Sequence, residues 1–336
     1  MQKIFEMDKI IGIGNALVDV LVRLDDEQVL TRLGLPKGGM TLINDDQQLE
    51  LSKRIANLQP KRATGGSAGN AMLALANMGA RPGFIGCVGN DEVGRFFHDN
   101  CKERGIEARL FTIDGYSGVA NTFITPDAER TFATYLGVAS KLAAANITPE
   151  LFEGYQLLHI EGYLVQNHQL IETVCRTAKE VGLKTSIDLA SYNVVTENRA
   201  MLRDLVAKYI DIVFANEEES AAFTEGKAPE DALREIASMA PWAVVKVGKR
   251  GSMAMHDNRL VRVPAKQVNV VDTTAAGDFF AGGFLYALSQ GADLEQCLRM
   301  GSLFSQNIIQ IVGTRLPEAT WEEIKASAKN ILVNPL

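Results

Sequence analysis

The chain has 336 residues, 46% of them hydrophobic, with 34 Lys and Arg against 41 Asp and Glu. A net charge of −7 argues against a nucleic-acid surface. No uncharged apolar run approaches a membrane span, and residues 1–9 carry charges without a signal-type apolar core. The expectation is therefore a cytoplasmic protein with no membrane partner.

Short apolar runs alternate with helical patterns along the chain. Residues 9–14, 82–88, 155–160, 184–189, 210–214 and 242–247 read as strands. Residues 68–78, 168–181 and 231–239 read as helices, and from about residue 276 the chain is nearly all helical. Strand–helix alternation predicts a parallel sheet covered on both faces. Two segments break the rhythm. Residues 17–43 and 109–136 carry β-type patterns without helices between them, and residues 126–129 (PDAE) form a turn between the runs 121–125 and 130–135. They predict a small sheet projecting over the main domain.

Cys87, Cys101, Cys175 and Cys297 form no C-x-x-C pair, and His98, His159, His168 and His256 have no metal-ligand spacing. Reduced, mostly buried thiols are expected.

Residues 271–288 (VDTTAAGDFFAGGFLYAL) pass from a β-like run into a helix. Small residues at a helix start let amides approach an anion, which the helix dipole also favours. The amides of Ala275, Ala276 and Gly277 can cradle a migrating phosphoryl group. Asp278, in the first turn, is expected to stay ionised and take a hydroxyl proton. Phe280, Phe284 and Leu288 recur every four residues and face the core. The plainer alternative leaves Asp278 as a helix-capping acid.

Asp272, Thr273, Ala275, Ala276, Gly277 and Asp278 resemble D-T-x-(G/A)-A-G-D, a signature of the ribokinase/phosphofructokinase-B kinases, with Ala275 in place of the commoner glycine. Other motifs follow in the family's order. Asn15 and Asp19 (GIGNALVD) resemble its N-terminal strand and substrate aspartate. Gly65, Gly66 and Asn70 resemble G-G-x-x-x-N, where glycines admit a sugar ring and Asn70 bonds a hydroxyl. Residues 86–94 (GCVGNDEVG) resemble a structural signature in which Asp91 caps a helix. Asn216 and Glu219 match N-x-x-E, which implies magnesium held through water. Lys246, Gly248 and Gly251 resemble the strand end beside the nucleotide, with Lys249 and Arg250 as further phosphate neighbours. Ser305 and Asn307 fall in the helix expected to close the adenine side. Read singly, each motif also has a structural reading as a cap, turn or exposed acid.

The resemblance spans residues 10–318. It implies a three-layer α/β/α sandwich with a mostly parallel sheet and a small β lid. Residues 1–16, 45–108 and 137–336 would form the large α/β nucleotide-binding domain, and 17–44 and 109–136 the lid. It implies ATP and Mg2+, some relatives adding K+ near Asp272 and Thr274. Exposed edges of the small sheet also invite a homodimer through the lid by sheet pairing.

The stretches GNALVD, 37–43 and 126–137 lean toward the adenosine kinase-like branch, and Asp188 lacks the D-x-N-x-R arginine of many sugar kinases. Arg130 can reach the site from the lid, and Phe123, Phe132 and Tyr163 can cover a base. The acceptor is then a nucleoside hydroxyl, or alternatively the primary hydroxyl of a free sugar of ribokinase or fructokinase type. A non-catalytic binding protein on the same scaffold is the rival of another class. A dinucleotide fingerprint fails because Leu17 stands at its third glycine, and no P-loop motif exists.

Overall fold

A computed structural model describes residues 9–127 and 129–333. In chain order, β1 (Ile10–Ile13), β2 (Leu17–Arg23), α1 (Gln28–Leu33), β3 (Met40–Leu42), α2 (Asp45–Ile55), β4 (Lys61–Thr64) and α3 (Ser67–Asn77) open the fold. They are followed by β5 (Gly83–Gly89), α4 (Glu92–Glu103), β6 (Glu107–Ile113), β7 (Gly118–Ile124) and β8 (Arg130–Tyr135). Next come β9 (Leu157–Glu161), α5 (His168–Glu180), β10 (Lys184–Asp188), α6 (Tyr192–Tyr209), β11 (Ile212–Asn216), α7 (Glu217–Phe223) and α8 (Pro229–Ala237). The chain ends with β12 (Trp242–Lys246), β13 (Ser252–His256), β14 (Arg259–Val263), α9 (Ala276–Ser289), α10 (Leu294–Ile308) and α11 (Glu318–Val333).

Among the described residues the strands form a nine-stranded sheet, β14-β13-β12-β11-β10-β9-β1-β5-β6, and a five-stranded sheet, β3-β8-β7-β2-β4. In the large sheet the strands from β12 to β6 pair parallel, and β13 and β14 add an antiparallel edge. Its strands read as continuous apolar runs because both faces are covered. Phe214 and Val244 join one core with Phe279, Phe284 and Phe304 of α9 and α10. Their neighbours Val213, Ala215 and Val245 join a second core with Ile171, Val174, Leu202 and Leu233 of α5, α6 and α8. Three layers result.

The small sheet buries one face. Val18, Val20, Val22, Phe123 and Ala133 share an apolar cluster with Leu30 of α1 and Leu51 and Ile55 of α2. The alternate residues, Asp19, Leu21, Thr122, Arg130 and Phe132, line a cleft against the large sheet.

Two strands sit differently from expectation. Residues 107–113, expected partly in the lid, pair parallel with β5 at the edge of the large sheet. An edge strand is only half covered, so its pattern mimics a lid strand. Conversely, β4, expected in the large domain, pairs antiparallel with β2 in the small sheet. Four residues (KRAT) between Pro60 and Gly65 are too short to show periodicity. The expected hairpin 121–125/130–135 is β7 and β8; Ala128 of its turn lies outside the described residues.

Candidate active site

The chain lays β5 and β6 on one side of β1 and β9 to β12 on the other. Where that order reverses, the carboxyl ends of parallel strands leave a crevice. A cavity of about 570 Å³ opens there, bounded by the small sheet and the head of α9.

Asp278 lies in the first turn of α9, and its carboxylate accepts hydrogen bonds from Ser67 Oγ at 2.7 Å and Asn70 Nδ2 at 2.9 Å. Both donors belong to α3, which packs beside α9, so the acid is aimed before any substrate arrives. Burial pushes the carboxyl up to about 6, with the two donors and Lys246 opposing the rise. Desolvation thus outweighs the favourable helix dipole at this acid. It is still ionised at neutral pH.

Ala275 precedes α9 with φ 60°, in the left-handed region. A glycine would adopt that conformation without strain. The amides beside it are not equivalent. The Ala276 N–H donates to the Thr273 carbonyl at 3.2 Å. The N–H groups of Ala275 and Gly277 meet no acceptor among the described residues, and both residues line the cavity. The expected cradle of three thus has two open amides, the middle one being spent on a turn. A Cβ on Gly277 would lie 3.0 Å from Lys246 Nζ.

Asp19 projects from β2 into the same cavity. Its carboxyl is half-buried in the cleft and makes no hydrogen bond among the described residues. Burial, aided by repulsion from Asp278, raises it to about 7. Gly65 lies beneath it rather than in the cavity wall, and a Cβ there would collide with the Asp19 carboxylate. Gly66, φ 83°, turns the chain into α3, and a Cβ would strike the Asn15 carbonyl. Asn70 Oδ1 is buried without a partner.

Asn15, expected to touch substrate, instead donates through Nδ2 to Glu161 Oε1 at 2.6 Å and does not line the cavity. Glu161 ends β9, also accepts the Ala68 N–H at 3.3 Å, and is raised by burial to about 7. It braces the start of α3. Nothing in the sequence marked it beyond an acid ending an apolar run.

On the other side, Asn216 and Glu219 form a reciprocal capping box. The Asn216 side chain caps the Glu219 N–H at 2.8 Å, and Glu219 accepts from Asn216 N at 2.8 Å and Nδ2 at 2.7 Å. Both residues nonetheless line the cavity, and burial with repulsion from Asp188 raises Glu219 to about 7. Lys246 Nζ donates to Asp188 Oδ2 at 2.8 Å. Burial works against its charge, but Asp188, Glu219 and Asp278 more than offset this and the ammonium is held above its ordinary value.

Gly248, Gly251 and Ser305 line the cavity, as does Lys266, which sequence reasoning passed over. Asn307 does not: its Nδ2 donates to the Leu303 carbonyl at 2.7 Å within α10. Lys249 is exposed, and Arg250 pairs with Glu217 on the surface. Phe132 and Tyr163 face the cavity, whereas Phe123 is buried behind the small sheet because it falls on the odd phase of β7. Arg130 reaches the cleft, but there its guanidinium binds Asp272 and Thr274.

The arrangement is a cleft with an aimed acid, open amides at a helix head, and an acid facing it without protein partners. That is what phosphoryl transfer to an alcohol requires. Residues 39–321 match the family described as pfkB family carbohydrate kinase. The chain is 31% identical to the adenosine kinase of Sinorhizobium meliloti, whose crystal structure superposes with a TM-score of 0.84 over 95% of this chain and 99% of that one. A probable sugar kinase from Rhizobium etli is 30% identical, TM-score 0.84, over 95% and 98%. An adenosine kinase of Schizophyllum commune is 26% identical over 94% of this chain and 98% of its own.

The chain belongs to the pfkB family of carbohydrate kinases, in its adenosine kinase-like branch. It has the ribokinase-like fold and is a phosphotransferase of the sugar and nucleoside kinases, with ATP as donor. Among the described residues no helix is long and apolar enough to cross a membrane.

Proposed function

We propose that the enzyme transfers the γ-phosphoryl group of ATP to the primary hydroxyl of a nucleoside of adenosine type, with Asp278 as base. The observation that carries this is the seating of Asp278 by Ser67 and Asn70 in one cavity with the unbonded Asp19 and the open amides of Ala275 and Gly277. Asp19 accepts two hydroxyls of the ribose, and Asn70 Oδ1 is free to accept another. The acceptor hydroxyl gives its proton to Asp278 as its oxygen attacks phosphorus. The Ala275 and Gly277 amides meet the charge on the moving phosphoryl, where fixed dipoles need no reorganisation. Lys246 stands beside them as a half-buried cation. Phe132 and Tyr163 supply aromatic faces to a base, a feature a bare sugar leaves unused. Asn216 and Glu219 fit Mg2+ through water, since the carboxylate keeps lone pairs free after its two bonds to Asn216. The ion would neutralise phosphate charge. ATP chemistry and four buried free thiols accord with the cytoplasm. The exposed Met40 and Leu42 on edge strand β3 support pairing of lids in a homodimer, which sizing chromatography reads.

The test is ADP release above the ATPase blank with a panel of nucleosides and free sugars. A nucleoside with the highest kcat/KM supports the reading, and a free sugar leading the panel replaces it with the ribokinase-type alternative. Tight nucleoside binding without turnover of any acceptor would point to a binding protein instead.

A further inference from the structure

One buried ion pair ties the small sheet to the head of α9. Arg130 projects from the cleft face of β8, and its Nη1 meets Asp272 Oδ1 and, at 2.8 Å, Thr274 Oγ1. The two charged side chains are 12% and 2% exposed, so this is not a solvated surface contact. Asp272 has other donors as well. Its Oδ1 accepts the Thr274 N–H at 2.8 Å and its Oδ2 the Gly313 N–H at 2.9 Å. One carboxylate thus joins the loop ahead of α9, the turn after α10 and the β7–β8 hairpin.

Asp272 and Thr274 are the two residues that the family resemblance offers to a monovalent cation. They do not fit one here. An alkali ion needs oxygens with lone pairs to spare and no fixed positive charge beside it. Thr274 Oγ1 and Asp272 Oδ1 already accept from the same guanidinium nitrogen, and a guanidinium has only N–H donors to offer.

We propose that Arg130 is itself the cation of this site: delivered by the small sheet, its guanidinium holds Asp272 and Thr274, sets the turn at Ala275 that opens the amide cradle, and makes the enzyme indifferent to added monovalent cations. The function given to the cradle rests on the kinase reading above; the pairing does not. Loop order and lid position become one equilibrium, because a lid that lifts leaves the buried Asp272 with its two amide donors but no counter-charge, which is costly. Arg130 Nη2 is buried without an acceptor, so the guanidinium keeps one donor unspent inside the cleft. Arg130 acts as a positioning residue through Asp272.

The experiment compares the full-length protein in potassium chloride and in tetramethylammonium chloride at equal ionic strength, by hydrogen exchange of residues 270–277 without substrate and by turnover. Wild type should give the same exchange and the same rate, within about twofold, in both salts. Arg130→Gln should exchange at least ~10-fold faster across 270–277 in tetramethylammonium and regain protection in potassium. Arg130→Lys, which keeps the charge, should stay protected in both salts and shows that the fold tolerates substitution there. Potassium-specific protection or activation of wild type overturns the proposal, and so does Arg130→Gln with wild-type exchange. The exchange arm needs no acceptor, so it stands or falls apart from the kinase assignment.

Discussion

Asp278 and Asp19 face one cavity, yet only Asp278 has donors of its own, from Ser67 and Asn70. That difference separates their kinetics. Asp278→Asn keeps the shape and both helices but removes the proton acceptor, so kcat should fall by at least ~10²-fold with ATP affinity little changed. Asp19→Asn should act mainly through KM for the acceptor, raising it by ~10-fold or more, because a charged acceptor for two hydroxyls is lost. Steady-state kinetics with both substrates varied reads the split; equal effects on kcat from both variants would contradict the roles. Burial lifts Asp278 to about 6. The base is therefore protonated, and the rate falls, as pH drops below about 6. A pH–rate profile level down to pH 5 would remove Asp278 as base.

Elements decide where those residues can stand. The turn from β4 into α3 carries Gly65 and Gly66 because Asp19 and the Asn15 carbonyl fill the space a Cβ would take. Gly65→Ala must therefore displace the Asp19 carboxylate, and activity should drop by ~10-fold or more while far-UV circular dichroism stays native. At the head of α9 the opposite holds: Ala275 occupies a left-handed turn. Ala275→Gly should be tolerated, raising the melting temperature slightly or leaving it unchanged, and a loss of stability would refute the strain. The small sheet is built from β2, β3, β4, β7 and β8, whereas β6 belongs to the large sheet. If the small sheet closes on substrate, hydrogen exchange should slow in residues 17–23 and 118–135 and stay unchanged in 107–113. Slowing confined to 107–113 would place the moving part elsewhere.

At the scale of the whole molecule, the site is a store of buried acid. Burial raises Asp19, Glu161 and Glu219 to about 7 and Asp278 to about 6. Unfolded, these groups titrate near 4, so over pH 4–7 the folded state binds more protons. Their contribution to stability is present at low pH and lost as pH rises through 6 to 7. Buried neutral His159, lowered to about 4 by burial, works the other way as pH falls through its ordinary 6.5. Between pH 8 and 6.5 the three acids raised to about 7 outweigh the onset of that histidine's effect, so the ligand-free protein should melt ~2 °C or more higher at pH 6.5 than at pH 8. A scan showing the reverse would mean these acids are not buried together. Stability and rate thus respond to pH in opposite directions, as expected where a site stores unfavourable charge for its substrate.

Much of this was written in the chain. Apolar runs and helical spacing placed most of the large sheet and its helices, since covered strands and amphipathic helices leave strong periodic signals. The motif around Asp278 and the acids at 19 and 219 were singled out because several family-like motifs follow one another in order; taken alone, each reads equally as a cap or an exposed acid. What the sequence could not carry is anything that depends on which segments meet. Glu161, Asp188 and Ser67 became site residues only when β9, β10 and α3 converged, and Asn15 left the substrate list because its amide was claimed by Glu161. The membership of β4 and β6, the phase that hides Phe123, and the Arg130–Asp272 pair across 142 residues of sequence were all settled by pairing between distant strands. Local pattern reports burial and periodicity; it holds no record of the partner that satisfies a charge.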